Sequence, residues 1–177
     1  CLPTRPAAAS TLSPGDFVLA WGNQILRLDH ASFMPTVISS GSLVGSVYHL
    51  TVDTRGRVLV TTSAGVVVVD PATGGQSVLA SAADLGGAPY GIASAPGGGV
   101  YVTLIRPGRI LRLDPDTGAP STVASGGLLD SPLGLAVGQD GQLYVAESWL
   151  PLRGSIVRVD PTSGAQYFIA TSGEFAY

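Results

Sequence analysis

Two titratable residues stand where the chain elsewhere repeats itself with inert side chains. His49, in Tyr48-His49-Leu50, takes the place that Gly91 and Gly134 take further along. Glu147 takes the place of Trp21, Thr62 and Leu104, each four residues beyond a recurring apolar landmark at Phe17, Val58, Val100 and Leu143. A lone carboxylate can lend an oxygen to a hard cation, but calcium gathers about six to eight of them. The chain has a single Asn, Asn23, and no other acid at the equivalents of Glu147. No cofactor is therefore expected, and calcium is the ion to test. Glu147 also lies in the segment AESWLPLRG (146–154), which carries Trp149 and Arg153. With Trp21 and Asn23 these make a candidate binding set, because Trp and Arg are favoured anchors of recognition surfaces. Each has a plainer use: the histidine as a space-filler or strand partner, the tryptophans as packing against a neighbouring element.

The elements that must position these residues are short strands. Tyr90–Ser125 reads as four of them: Gly91–Ser94, Val100–Thr103, Ile110–Asp114 and Ser121–Ala124, parted by PGGG, PG and DPDTG turns. Apolar runs bounded by Gly and Pro clusters predict an antiparallel meander. The unit recurs. The landmark at Phe17, Val58, Val100 and Leu143 steps by 41, 42 and 43 residues, and an apolar-Asp element ends at Asp29, Asp70, Asp114 and Asp160. A period in the low forties with four strands per unit predicts an all-β β-propeller. Helical repeats are excluded by runs such as Val66-Val67-Val68-Val69, which lack a 3.6-residue apolar period. We expect about three complete four-stranded blades plus a partial one, over about 16–40, 48–81, 90–125 and 133–171, after a linker at 1–15. The first blade, with strands at Asp16–Trp21, Gln24–Asp29 and Thr36–Ser39, lacks its innermost strand. An open arc, or a fragment of a larger propeller, is the simplest account.

The repeat also assigns faces. Strand one of each blade lies nearest the axis, where Gly91, Ala93, Gly134 and Ala136 suit the crowding. The connection between strands two and three grows from Thr61–Gly65 to Thr103–Gly108 to Ala146–Gly154, so variation concentrates on one rim. The opposite rim carries Asp-Pro-x-Thr/Ser-Gly in three of four copies. There Asp accepts backbone N–H bonds, Pro presets φ and Gly takes positive φ, so these aspartates, with Asp53 and Asp140 in the first hairpins, are read as structural. Arg27, Arg112 and Arg158, two residues before the turn aspartates, are expected to pack or pair between blades.

Composition narrows the function. With 45% hydrophobic and only 12% charged residues, the 177-residue chain can fill its core and cover its sheets on both faces. The net charge is −3, and the nine basic residues, all Arg, are scattered. That leaves no basic stripe to neutralise phosphates, and nucleic acid is not an expected partner. No apolar run approaches the ~18–20 residues that span a bilayer. The only cysteine is Cys1, which rules out a disulfide framework within one chain.

The motif x-G-I-A-x-x-x-x-G-x-V-Y-V, a hairpin, then I-x-R-V/L-D-P-x-T-G resembles NHL-repeat proteins. Tyr90-Gly91-Ile92-Ala93 with Val100-Tyr101-Val102, and Leu133–Val137 with Asp140–Val145, carry the match best. The resemblance covers nearly everything after residue 15, and is similar in kind to streptogramin lyases and lactonase-like propellers. It implies the propeller fold and, through the lyases, a general acid or base role for His49 and a matching role for Glu147. Propellers host catalysts, scaffolds and binders alike, so fold alone does not select among them. Cys1 followed by the Pro/Ala/Thr-rich LPTRPAAASTLS resembles the mature start of a bacterial lipoprotein, which implies lipid on Cys1 and an extracytoplasmic place; a trimming point at Cys is the alternative. Three functions remain: a non-catalytic binding module whose rim takes a protein or small ligand, part of a lyase- or lactonase-type enzyme, and a structural repeat of a larger surface protein.

Overall fold

Short runs of β-branched residues, apolar at both parities, make strands that bury both faces. In the computed structural model, which describes residues 11–149 and 153–171, such runs form four antiparallel sheets. The first blade has three strands, β1 (Phe17–Trp21), β2 (Gln24–Leu28) and β3 (Pro35–Ser40). The second has β4 (His49–Val52), β5 (Val58–Thr62), β6 (Gly65–Val69) and β7 (Gln76–Ser81). The third has β8 (Pro89–Ser94), β9 (Val100–Leu104), β10 (Arg109–Leu113) and β11 (Pro120–Ser125), and the fourth β12 (Pro132–Val137), β13 (Leu143–Trp149), β14 (Arg153–Val159) and β15 (Gln166–Thr171). Each sheet is a simple meander. The helix α1 (Ala82–Leu85) links the second blade to the third, held by a capping box between Ser81 and Asp84. Cys1 and the linker up to residue 10 lie outside the described residues, as does the close of the chain from residue 172.

Parity along the strands decides which blade a side chain meets. In the second blade Val58, Val60, Val67 and Val69 pack with Ile25, Ile38 and Val44 of the first. On its other face Leu59, Val66 and Val68 pack with Val100, Val102, Leu104, Leu111 and Leu113 of the third. Tyr101 and Ile110 then meet Leu143, Val145, Val157 and Val159 of the fourth. Each fully buried Val or Leu contributes about 1.5–3 kcal/mol, so these three junctions hold the array together. The inner strands β4, β8 and β12 lie side by side, tied by hydroxyls. Thr61 donates to the Tyr90 carbonyl at 2.5 Å, and Thr103 to the Leu133 carbonyl at 3.2 Å. Gly91 has to be glycine, because a Cβ there would strike the Leu133 carbonyl and come within 2.9 Å of Thr103 Oγ1. Its missing side chain lets β8 approach β12, so the small residue serves strand packing and not a wide channel.

The outer strands share a second device. Each has a bulge of one extra residue, at Ile38, Leu79, Val123 and Ile169. At Ile38, Leu79 and Val123 the turn glycine of the following blade lies on the carbonyl of that residue. A Cβ on Gly74 would sit 2.6 Å from the Ile38 oxygen, one on Gly164 2.6 Å from the Val123 oxygen, and one on Gly118 nearer still to the Leu79 oxygen. The three glycines have φ between 71° and 73°.

For Arg27 and Arg158 the arginine expectation is corrected. Arg27 pairs within its own blade, its Nε donating to Asp16 at 2.5 Å and its NH2 to Asp29 at 3.2 Å. Arg158 lies over the Tyr167 ring of its own sheet, 4.9 Å from the centroid. The reason is register, since these arginines sit opposite neighbours of their own sheet. Contacts between blades on this rim come instead from Arg57, which donates to the Pro115 carbonyl, and from Arg55, which pairs with Asp116.

Candidate ligand-binding rim

The inner strands begin where the β5–β6 type of hairpin ends, so both open on one rim, as the loop lengths predicted. At its centre β4 and β8 start in matching register, and this brings three ring side chains together. Tyr48 stacks on Tyr90 with centroids 5.2 Å apart and planes at 16°. His49 tilts onto the same ring at 5.2 Å and 56°. Tyr48 is 42% exposed, while His49 and Tyr90 are half-buried. The backbone beneath them is fixed: Tyr48 N–H donates to the Thr61 carbonyl at 2.9 Å, and His49 N–H to Thr61 Oγ1 at 3.1 Å. The cluster is thus a rigid aromatic step, with one open face and an imidazole at its side.

Glu147 turns inward. It shares the parity of Leu143 and Val145, faces the third blade, and is 6% exposed. Its Oε2 accepts the N–H groups of Asp130 at 3.0 Å and Ser131 at 2.8 Å, which pins the connection from β11 to β12. Oε1 has no hydrogen-bond partner among the described residues. Burial pushes the carboxyl above its usual value of 4.5, against the two backbone donors, which pull it down. His49 and Glu147 belong to blades separated by the third, and no hydrogen bond joins them.

Trp21 ends β1 on this rim and is 75% exposed. Its parity places it with Phe17 and Leu19, on the face that in later blades packs against the preceding blade. Asn23, in the β1–β2 hairpin, is exposed, and its carbonyl accepts Gly41 N–H at 3.1 Å. Trp149 and Arg153 face each other in the β13–β14 register, but their side chains lie outside the description.

Sequence reading missed Tyr48 and Tyr90. The signal was present, because both directly precede the recurring His49/Gly91 position.

The opposite rim is closed on itself. Asp70 accepts Ala72 N–H at 2.8 Å and the Thr73 hydroxyl at 2.9 Å; Asp114 and Asp160 hold the N–H groups two and three residues on. These bonds hold all three carboxyls below the usual value. Asp53 is likewise used by Arg55 N–H, Arg57 N–H and the Arg57 guanidinium. A cation has one potential donor set among the described residues, Asp16 with Asp29 and His30. Asp16 there already accepts Arg27, Ser13 N–H and His30 N–H, so those oxygens are occupied.

No family model matches the chain, and no curated protein matches it by sequence. Solved structures do. A nidogen/laminin complex chain superposes with TM-score 0.72 at 16% identity, over 88% of this chain and 61% of that one. This chain is an arc of β-propeller blades. Virginiamycin B lyase from Staphylococcus aureus superposes with TM-score 0.66 at 20% identity, over 89% of this chain and 53% of the lyase. Regucalcin from Agrobacterium tumefaciens, described as a calcium-binding protein, gives 0.64 at 19%, over 91% and 57%. The chain spans a little over half the length of each. At these identities the likeness carries the fold and no particular activity.

Proposed function

We propose that this is a non-catalytic propeller module whose hairpin-bearing rim takes a protein or small-molecule ligand at the Tyr48–His49–Tyr90 step. The observation that carries the reading is the stack itself. It sets an exposed aromatic face on a backbone fixed by buried Thr61, beside a group that can donate or accept a hydrogen bond. Flat apolar area with a polar handle is what pockets and recognition surfaces use. Trp21 and Asn23, with Trp149 and Arg153, extend the rim on either side. A lipid on Cys1 would tether the module to a membrane and place it outside the cytoplasm, in the cell envelope of a bacterium; among the described residues no helix is long and apolar enough to cross one.

The enzymatic alternative, with His49 and Glu147 as proton-transfer partners, has no comparable support. Glu147 already holds two backbone donors, and its carboxylate is buried against the connection from β11 to β12. A calcium ion as in the regucalcin neighbour has no free donor set of its own among the described residues.

The test is an amide NMR screen of the labelled protein against a panel of aromatic small molecules and of short peptides. The reading expects shifts confined to Tyr48–His49, Tyr90 and the neighbouring hairpins, abolished by Tyr48→Ala. Shifts on the opposite rim would overturn it. No shift with any probe would favour the purely structural reading.

A further inference from the structure

Three junctions between consecutive blades follow one pattern, and each has two halves. The outer strand offers the carbonyl of its bulge residue, Ile38, Leu79 or Val123, and the next blade covers it with a turn glycine, Gly74, Gly118 or Gly164. The fourth blade offers the first half again. Its bulge residue is Ile169, half-exposed, and the face beside it repeats a face that is buried elsewhere. Tyr144, Ala146 and Ile156 stand at the register positions of the buried Tyr101, Thr103 and Ile110, and Arg158 at that of the exposed Arg112. Of those, Tyr101 and Ile110 pack against the fourth blade.

The first blade breaks the second half. Its turn has the same length and the same closing bonds: Phe33 N–H donates to the Asp29 carbonyl at 2.8 Å, as Gly74 N–H does to Asp70 and Gly164 N–H to Asp160. Phe33 therefore stands at the glycine position, with φ 54° and 62% exposed. A phenylalanine Cβ at that point occupies the space where a preceding blade's bulge carbonyl would lie. The contact would be far inside van der Waals distance and would fall on backbone, which cannot swing aside. The turn also accepts a left-handed conformation that side chains other than Gly, Asn and Asp rarely adopt.

We propose that the arc accepts a further repeat blade at one end only. The fourth blade's outward face takes a repeat blade with glycine in its turn, seated on the Ile169 carbonyl in the register of the existing junctions. Phe33 closes the first blade to the same docking, so copies of the chain do not join head to tail. Without Phe33, Phe17 and Leu19 would stand in the column that Val58 and Val60 fill at a working junction, and the ends would match.

Replacing Phe33 turns the first blade of the chain into the required probe. Sedimentation equilibrium is run on the wild type, on Phe33→Gly, and on Phe33→Gly with Ile169→Asp, after circular dichroism shows that each retains its sheet signal. The expected result is a monomeric wild type, self-association of Phe33→Gly tighter by about tenfold or more, and return to monomer in the double variant. Equal association of wild type and Phe33→Gly would show that Phe33 closes nothing. Absence of association in Phe33→Gly would show that the fourth blade does not take a glycine-bearing blade. Association that survives Ile169→Asp would place the contact elsewhere. Each of these three overturns the proposal.

Discussion

The two rims of the arc use the same chemical group in opposite ways. On the turn-bearing rim Asp70, Asp114 and Asp160 have their oxygens engaged by local N–H groups, and these three carboxyls are held below their usual value. On the hairpin-bearing rim Glu147 is buried, engages one oxygen, and is pushed above its usual value. The turn rim commits its polar groups to holding chain reversals and clamping blades through Arg55 and Arg57. The hairpin rim keeps an aromatic face uncommitted, with Tyr48 open to solvent on a fixed backbone. Ligand chemistry has more room on the hairpin rim, because the turn aspartates spend their oxygens on local N–H groups whereas the Tyr48 ring keeps an open face.

The largest expected effect breaks the turn rim. Gly118→Val puts a branched side chain at φ 73° against the Leu79 backbone, and should cost about 3 kcal/mol or more in urea unfolding. A loss below about 1 kcal/mol would mean that the junction between the second and third blades is not closed by this contact. Next, Thr61→Val keeps the volume but removes the hydroxyl that links His49 and Tyr90 across inner strands, and should cost about 1–2 kcal/mol. It should also broaden the Tyr48 and Tyr90 ring resonances; sharp, unshifted resonances would show that the hydroxyl does not fix the aromatic step.

A third prediction sharpens the contrast through pH. The turn aspartates have folded values below 3.8, so their contribution is present above that value and is lost as pH falls through the folded values. Glu147 has a folded value above 4.5, so its contribution is present below 4.5 and is lost as pH rises through the folded value. Glu147→Gln retains an acceptor oxygen for Asp130 and Ser131 and carries no charge. Its stability should therefore gain on the wild type as pH climbs above 4.5; a parallel pair of pH profiles would contradict the burial of that carboxyl. The smallest effect is that of Tyr48→Ala on stability, within about 1 kcal/mol, because the ring is half-exposed and stacked on one neighbour. A larger loss would make Tyr48 a structural residue and weaken its reading as a binding face.

Much of this was legible in the sequence. The spacing of Phe17, Val58, Val100 and Leu143 locates β1, β5, β9 and β13, and the Asp-Pro turns fix the rim on which they fall. The missing inner strand of the first blade was equally visible, since β1–β3 are all that the described residues show there. The bulges were not visible: Ile38, Leu79, Val123 and Ile169 are apolar residues in apolar runs, and an extra residue leaves no mark until strands are paired. The partners of Arg27 and Arg158 escaped for a similar reason, because a sheet's register decides whether a long side chain reaches along its own blade or across. For Glu147 the clue was parity. It stands two residues beyond Val145, itself two beyond Leu143, and such a position faces a neighbouring blade even at the end of a strand. Phe33 was readable as the one turn without glycine, but its consequence needed the carbonyl that glycine covers elsewhere.

The contrast between the rims is tested most directly by following the side-chain carboxyl carbon shifts of the folded protein through an acid titration. Asp70, Asp114 and Asp160 are expected to titrate below 3.8 and Glu147 above 4.5, leaving a gap between the two rims. Glu147 titrating at or below 4.5, alongside the turn aspartates, would contradict it.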